Sequence, residues 1–357
     1  MPEIPENDRT EELQAAVRAA LADREPLAVR GGGTKAFYGR AGTGQPLEVS
    51  GHSGIVNYDP TELVVTVRSG TRLADLEALL AEHGQQLACE PPHFGTAATV
   101  GGMVAAGLAG PRRPWGGAVR DAVLGARLLN GSGEVLRFGG EVMKNVAGYD
   151  LSRLMAGSLG TLGVLLEVSL KVLPRPAMVC TRVLELDGRE ALERLAPWGR
   201  QPLPVTGAAH LDGRLYLRLA GNEAAVTEAG ERLGGEEPAD GTGFWMDLRE
   251  QRLPFFAGET PLWRLSVPPA APLGEGREPL LIDWGGAQRW LRSEAPAETI
   301  REAAGEAGGH AVLFRGGDRT GEVFAPLSGP LMTVHRNLKR SLDPHGLFNP
   351  GRMYGWL

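Results

Sequence analysis

The sequence predicts a mixed α+β chain built as two domains. Three observations carry that reading. Helical and strand periodicities alternate over residues 1–85, which argues for sheet packed with helices and against a helical bundle. Residues 89–174 are glycine-rich and apolar at once, and that stretch ends at a Pro-Arg-Pro break, 174–176. Beyond the break the pattern changes, and 357 residues exceed what one ordinary core accommodates.

The first element is TEELQAAVRAALADRE, apolar at helical spacing, with Thr10 placed to cap its N-terminus. LAVR, LEVS and LVVTVRSG follow as strands. TRLADLEALLAEHG is a helix that stops at Gly84. AVLGARLLNGSGEVLRFGG predicts a hairpin turning at NGSGE, LSRLMAGS a short helix and TLGVLLEVSLKVLP a strand. In the second half MVCTRVLELD, HLDGRLYLRLA, PLWRLSVPP, LLIDWGGAQRWLRS and HAVLFRG read as strands. ALERLAPWG, EAAVTEAGERLGG and AETIREAAGEAGG read as helices between them. This alternation predicts a small antiparallel sheet with helices on one face. The tail LMTVHRNLKRSLDPHGLFNPGRMY predicts a helix stopped at Asp343-Pro344, then extended chain.

Composition narrows the function classes. Apolar residues make up 42% and charged residues 22%, ordinary for a soluble globular protein. No apolar run reaches the ~18 residues that span a bilayer. The opening MPEIPENDRTEEL is acidic and lacks the basic-then-apolar order of a secretory signal. A cytoplasmic chain is expected, one that meets a membrane only through a partner. Net charge is −6 with no strongly basic segment, which argues against nucleic acid as partner. Cys89 and Cys180 are the only cysteines and give no zinc, iron–sulfur or disulfide spacing. Of 37 basic residues only Lys35, Lys144, Lys171 and Lys339 are lysines, so arginine is the default surface cation.

Common nucleotide and hydrolase motifs are missing: there is no GxxxxGK[ST], HExxH, GxSxG or GxGxxG. Three glycine clusters remain. The first is Arg30, Gly31, Gly32, Gly33, Thr34 and Lys35. Consecutive glycines can turn several N–H groups into one concavity, a nest for phosphate, with Thr34 and Lys35 adding a hydroxyl and a charge. The alternative is a flexible turn. The second is TAATVGG, with Thr99, Val100, Gly101 and Gly102, whose small residues allow a planar ligand or a neighbouring helix to approach. The third is MKNVAGYDLSRLMAGSLGTLG, with Gly148, Tyr149, Asp150, Gly157, Ser158, Gly160, Thr161 and Gly163. Glycine this dense at a strand entrance costs conformational entropy, which a closely approaching ligand would explain.

Taken together and in this order, RGGGTK, ATVGGMVA, AVRDAVLGARLLNGSGEVLRFGG, GYDLSRLMAGSLGTLGVLLEVSLKVLP and LDPHGLFNPGRM resemble the FAD-binding domain of the PCMH-type flavoprotein superfamily. That superfamily includes vanillyl-alcohol oxidase, D-lactate dehydrogenase and the glycolate oxidase flavin subunits. The resemblance covers residues 5–175 and 335–355. CEPPHFGTAATVGG and EVMKNVAGYDLSRLMAGSLGTLG narrow it to the bacterial glycolate oxidase flavin subunits. It implies a PCMH-type FAD-binding domain of two α+β subdomains over residues 1–175. It further implies a small α+β, ferredoxin-like cap over 176–334 and a C-terminal segment, 335–357, returning to the FAD domain. FAD would lie extended, with 30–35 taking its pyrophosphate, 99–102 also lining the dinucleotide, and 148–150 and 157–163 approaching the adenine and ribose and closing over the phosphates. No histidine lies between Leu27 and Ser50, so the FAD is expected to be non-covalent. The nearest alternative tethers are His52, His93 and Cys89.

The catalytic set is thinner. The superfamily's D-2-hydroxy-acid dehydrogenases carry a glutamate before a metal-linked histidine, whereas AGGHAVLFRGG around His310 lacks it. His210, His310, His335 and His345 have no metal-ligand spacing, so no metal is expected. No catalytic base is assigned. Arg112, Arg113, His93 and Asp121 are candidates by position alone.

The resemblance implies a FAD-binding subunit of a multi-subunit glycolate oxidase. Such a complex oxidises glycolate to glyoxylate and passes electrons through a homologous flavin subunit and an iron–sulfur subunit to the respiratory chain. Two alternatives stay open at this point: a self-sufficient FAD oxidoreductase of a small 2-hydroxy acid or alcohol, and an assembly subunit that has lost FAD.

Overall fold

In the computed structural model, residues 4–140, 150–273 and 280–357 are described. In chain order the elements begin with α1 (Thr10–Asp23), β1 (Leu27–Arg30), β2 (Gln45–Glu48), β3 (Ile55–Asp59), β4 (Val64–Arg68), α2 (Leu73–Glu82) and β5 (Gln85–Gln86). Next come α3 (Val100–Ala106), α4 (Arg113–Gly116), α5 (Val119–Ala122), β6 (Val123–Leu129), β7 (Val135–Gly139), α6 (Leu151–Leu154), β8 (Val164–Lys171) and β9 (Leu173–Pro174). The second half holds β10 (Met178–Glu185), α7 (Gly188–Trp198), β11 (Val205–Leu211), β12 (Arg214–Gly221), α8 (Glu223–Leu233), α9 (Gly241–Glu250) and β13 (Leu262–Ser266). It ends with β14 (Leu280–Asp283), β15 (Gln288–Arg292), α10 (Ala297–Glu306), β16 (His310–Arg315) and α11 (Gly329–Leu342).

The chain divides into two units. The first combines residues 1–108, 118–175 and 319–357, and the second 109–117 and 176–318. In the first, a five-stranded antiparallel sheet runs in the order β3-β4-β8-β6-β7. β8 sits at its centre, and all its residues but Lys171 are buried, as an apolar run flanked by two partners requires. The one acid there, Glu167, is held by Arg127 of β6 at 2.7 Å. A second, smaller layer pairs β1 with β2 in parallel. α1 packs on both layers. Its Leu13, Val17 and Ala20 recur at helical spacing and meet Leu27, Leu47, Leu129, Val164, Leu166 and Phe348 in one core cluster.

Thr10 opens α1 but does not cap it. The carboxylate of Asp8 accepts the Thr10 N–H instead, at 2.9 Å. A carboxylate is the stronger acceptor at a helix start, and the hydrogen bonds from Thr10 hold Asp8 down to about 2.

The second unit is one seven-stranded antiparallel sheet, β10-β12-β11-β14-β15-β13-β16. HLDGRLYLRLA and LLIDWGGAQRWLRS each form a hairpin rather than one strand. The first turns at Asp212 and Gly213, both at positive φ, and the second at Trp284, Gly285 and Gly286, also at positive φ. α9, GTGFWMDLRE, was hidden in the sequence by two glycines, yet Asp240 caps it by accepting from the Gly243 N–H at 2.7 Å.

The C-terminal segment is built into the first unit. Leu27 N–H donates to the Leu347 carbonyl, and Asn349 N–H donates to the Leu27 carbonyl, so the chain end lies beside β1 as a third extended partner. A buried ion pair fixes it. Lys339 Nζ donates to Asp343 Oδ2 at 2.7 Å, the Thr161 carbonyl at 2.6 Å and the Phe348 carbonyl at 2.9 Å. Asp343 in turn accepts the Leu347 and Phe348 N–H groups. Three ammonium donors meet three acceptors, so the desolvated charge is fully satisfied. Removing one member strands the other. Lys339→Met is expected to cost roughly 3–5 kcal/mol, read as a lowered urea midpoint of the first unit; an unchanged midpoint would contradict this account of the segment.

Candidate functional site

The loop after β1 is the clearest ligand-shaped feature of the first unit. Residues 30–36 form one wall of a cavity of about 350 Å³. Its glycines have different jobs. A Cβ on Gly31 would stand 2.4 Å from Thr99 Oγ1, and one on Gly32 only 1.4 Å from the Ala97 carbonyl oxygen. Those two therefore let the loop lie against residues 97–99. Gly33 differs: its φ is +69° and a Cβ there meets nothing within 4 Å. It supplies a left-handed turn that faces open space.

The opposite wall comes from Thr99, Gly102, Ala105 and Ala106 on and before α3, from Leu159, and from Asn349 and Arg352 of the C-terminal segment. Thr99 caps α3 by accepting from the Gly102 N–H. Asn349 joins two walls: its Oδ1 accepts the Val29 N–H at 2.8 Å, and its Nδ2 donates to the Leu159 carbonyl at 2.7 Å. Arg352 donates to the carbonyls of Ala36, Tyr38 and Arg40, holding the outer turn of the loop.

Lys35 lies at the rim. Its Nζ donates to the His93 carbonyl at 3.2 Å and sits 5.8 Å from the centre of the Phe94 ring. His93 itself is tied by its ring Nε2 to Glu77 at 3.0 Å.

The donor set suits an anion. The backbone N–H groups of Gly31, Gly32, Gly33 and Thr34 make no hydrogen bond to any described residue of the protein. Gly31, Gly32 and Thr34 are partly buried and Gly33 is exposed, and consecutive unpaired N–H groups beside a left-handed glycine form a nest open to an anion. A dinucleotide diphosphate supplies such an anion, so these residues fit FAD.

The other glycine clusters divide. Thr99 and Gly102 line the cavity, while Val100 and Gly101 are buried within α3, Gly101 against Ser69. From 157–163 only Leu159 reaches the cavity. Gly157 N–H donates to the Val104 carbonyl, Leu159 N–H to that of Ala105, and the Thr161 hydroxyl to that of Ser158, so this turn is laid along α3. Gly160 and Gly163 take positive φ there, and Ser158 is buried. Asp150 caps α6 through the Arg153 N–H and pairs with the Arg153 guanidinium. Gly148 and Tyr149 lie outside the described residues.

The positional candidates sit elsewhere. Asp121 accepts the Ala118 N–H, and in the second unit the Arg113 guanidinium lies 4.4 Å over the Trp284 ring. His210 is bound to the Leu186 carbonyl. Among the described residues no cluster of histidine, cysteine, aspartate or glutamate could hold a metal ion. No helix of the described residues is long and apolar enough to cross a membrane.

Comparisons agree with this geometry. Residues 6–139 match the family described as "FAD binding domain". The chain is 55% identical over 354 residues to "Glycolate oxidase subunit GlcE" of Escherichia coli, covering 99% of this chain and 100% of that protein. The chain thus belongs to the PCMH-type FAD-binding family, a family of flavin-dependent oxidoreductases. Its likeness to GlcE runs from one end to the other. It is also 32% identical over 169 residues to "Glycolate oxidase subunit GlcD" of Bacillus subtilis, covering 47% of this chain and 36% of that one. Among solved structures, an alkyldihydroxyacetonephosphate synthase aligns with a TM-score of 0.67 at 16% identity, over 95% of this chain and 74% of the other, which shows the same fold.

Two substitutions separate the roles of neighbouring glycines. Gly33→Ala is expected to leave the fold intact at a cost of about 1–2 kcal/mol while lowering bound flavin, measured by absorbance after gel filtration. Gly32→Ala must push the Ala97 backbone aside and is expected to lower the melting temperature as well. Equal flavin content in wild type and Gly33→Ala would remove the nest. The thiol of Cys89 gives a further check. Burial pushes it up to about 12, so it should resist iodoacetamide at pH 8 until the chain is unfolded, as peptide mapping would show.

Proposed function

We propose that this chain is the FAD-carrying subunit of a glycolate oxidase, working beside a homologous flavin subunit and an iron–sulfur subunit. The observation that carries the reading is the end-to-end likeness to GlcE combined with a cavity whose unpaired N–H groups suit a diphosphate. When bound, FAD supplies the capacity to take up two electrons and give them back singly. The chain's own part is to hold it. The nest from Gly31 to Thr34 takes the diphosphate, Thr99 and Gly102 allow close approach, and Asn349 keeps the two walls at fixed spacing. The glycines at 157, 160 and 163 shape the turn that brings Leu159 to the cavity, and Gly148 and Tyr149 belong to the same proposed cofactor region.

In this reading the flavin is held without a covalent bond; among the described residues no histidine or cysteine lines the cavity. Among the described residues no carboxylate or imidazole lines it either. A role as one subunit among several is supported by the likeness to GlcE, which is itself named as a subunit of glycolate oxidase. The complex would work in the cytoplasm and reach the membrane through its partners.

Two measurements separate this from a self-sufficient oxidase. Anaerobic glycolate is expected to leave the flavin of the isolated chain oxidised at turnover times, while the reconstituted complex bleaches. Glycolate turnover by the partners is expected to fall at least tenfold without this chain; full turnover in its absence would sink the proposal.

A further inference from the structure

Two arginines at opposite ends of the sequence meet at this cavity. Arg30 ends β1 and is exposed, and its side chain makes no bond within the described protein. Arg352 comes from the C-terminal segment and is partly buried, with only backbone carbonyls as hydrogen-bond acceptors. Among the described residues no carboxylate lies within ion-pair distance of either one. Glu48 lies opposite Arg30 in the β1–β2 register without an ion pair to it, and Glu322 stands 3.8 Å from Arg40. Burial and the neighbouring Arg30 both disfavour the charged form of Arg352. A positive charge kept out of water without a counter-ion is costly, and the missing counter-ion would face the same cavity as the nest.

We propose that Arg30 and Arg352 together supply the counter-charge for the FAD diphosphate, so that flavin binding depends on the C-terminal segment being docked beside β1. The proposal rests on reading this cavity as the diphosphate site. It adds that two guanidinium charges match the two negative charges of the bridge, and that one of the two is contributed from the far end of the chain. The nest gives direction through N–H groups, and the arginines give charge. The same segment carries Asn349, so the residues that set the cavity's width and half of its charge arrive together. Flavin binding and docking of the C-terminus then stabilise one another.

The test uses flavin-free full-length protein. FAD is titrated by flavin fluorescence at low and high salt, with inorganic pyrophosphate as competitor. Wild type is expected to bind FAD more weakly as salt rises and to lose FAD to pyrophosphate. Arg30→Gln, which breaks no protein contact, is expected to weaken FAD roughly tenfold or more and to flatten the salt dependence. Arg352→Gln should do the same, and Arg352→Lys should retain the salt dependence because the charge stays. If Arg352→Gln does not fold, Arg30→Gln and Arg352→Lys decide. Wild-type affinity and wild-type salt dependence in Arg30→Gln would overturn the proposal. So would a flat salt dependence in Arg352→Lys. Wild-type protein that takes up no FAD would overturn the reading of the cavity itself.

Discussion

The candidate site depends on a buried polar knot far from it in sequence. Lys339, Asp343 and Asn349 bind the turn at Thr161, the backbone at Phe348, the strand at Val29 and the turn at Leu159. Without that knot the end of the chain would have no fixed place beside β1. Asn349 itself sits at φ +43°, a conformation that asparagine tolerates better than most residues. A Cβ on Gly160 would stand 2.7 Å from its amide, so the glycine and the asparagine fit as a pair. The knot is expensive to bury, and its worth lies in bringing three distant segments to one cavity.

That arrangement explains what could and could not be seen in the sequence. RGGGTK stood out in the sequence because consecutive glycines restrict what a loop can be for, and the loop does line a cavity. Four strands of the five-stranded sheet were legible because apolar runs and turn signals lie close together in the chain, whereas the edge strand β3, with only Ile55 and Tyr58 partly buried, was not. Leu159, Asn349 and Arg352 were not legible as cavity walls, since their contacts span long sequence separations that no periodicity records. The clue for the last two was the resemblance of LDPHGLFNPGRM to a known C-terminal segment, which gave a place but no role. Gly157, Ser158, Thr161 and Gly163 read as ligand approach, whereas their visible contacts fold a turn against α3. The hairpins of the second unit read as single strands because Asp212 and Trp284 turn at positive φ, a choice that local composition does not announce.

The chemistry follows from what lines the cavity. A run of N–H groups without acceptors, beside Arg30 and Arg352 with no carboxylate at ion-pair distance among the described residues, suits a diphosphate. These groups do not define a place where a proton is taken from a substrate. The residues that line the cavity suit the holding of a flavin nucleotide, and the likeness to a protein named as a subunit is why a complex is proposed for the rest.

The central claim is that the N–H groups of Gly31, Gly32, Gly33 and Thr34 hold the FAD diphosphate. Backbone hydrogen exchange, followed at those four amides with and without FAD, tests it most directly. The expected result is fast exchange in flavin-free protein and strong protection once FAD binds. Protein that carries FAD while those four amides exchange at their flavin-free rate would contradict it.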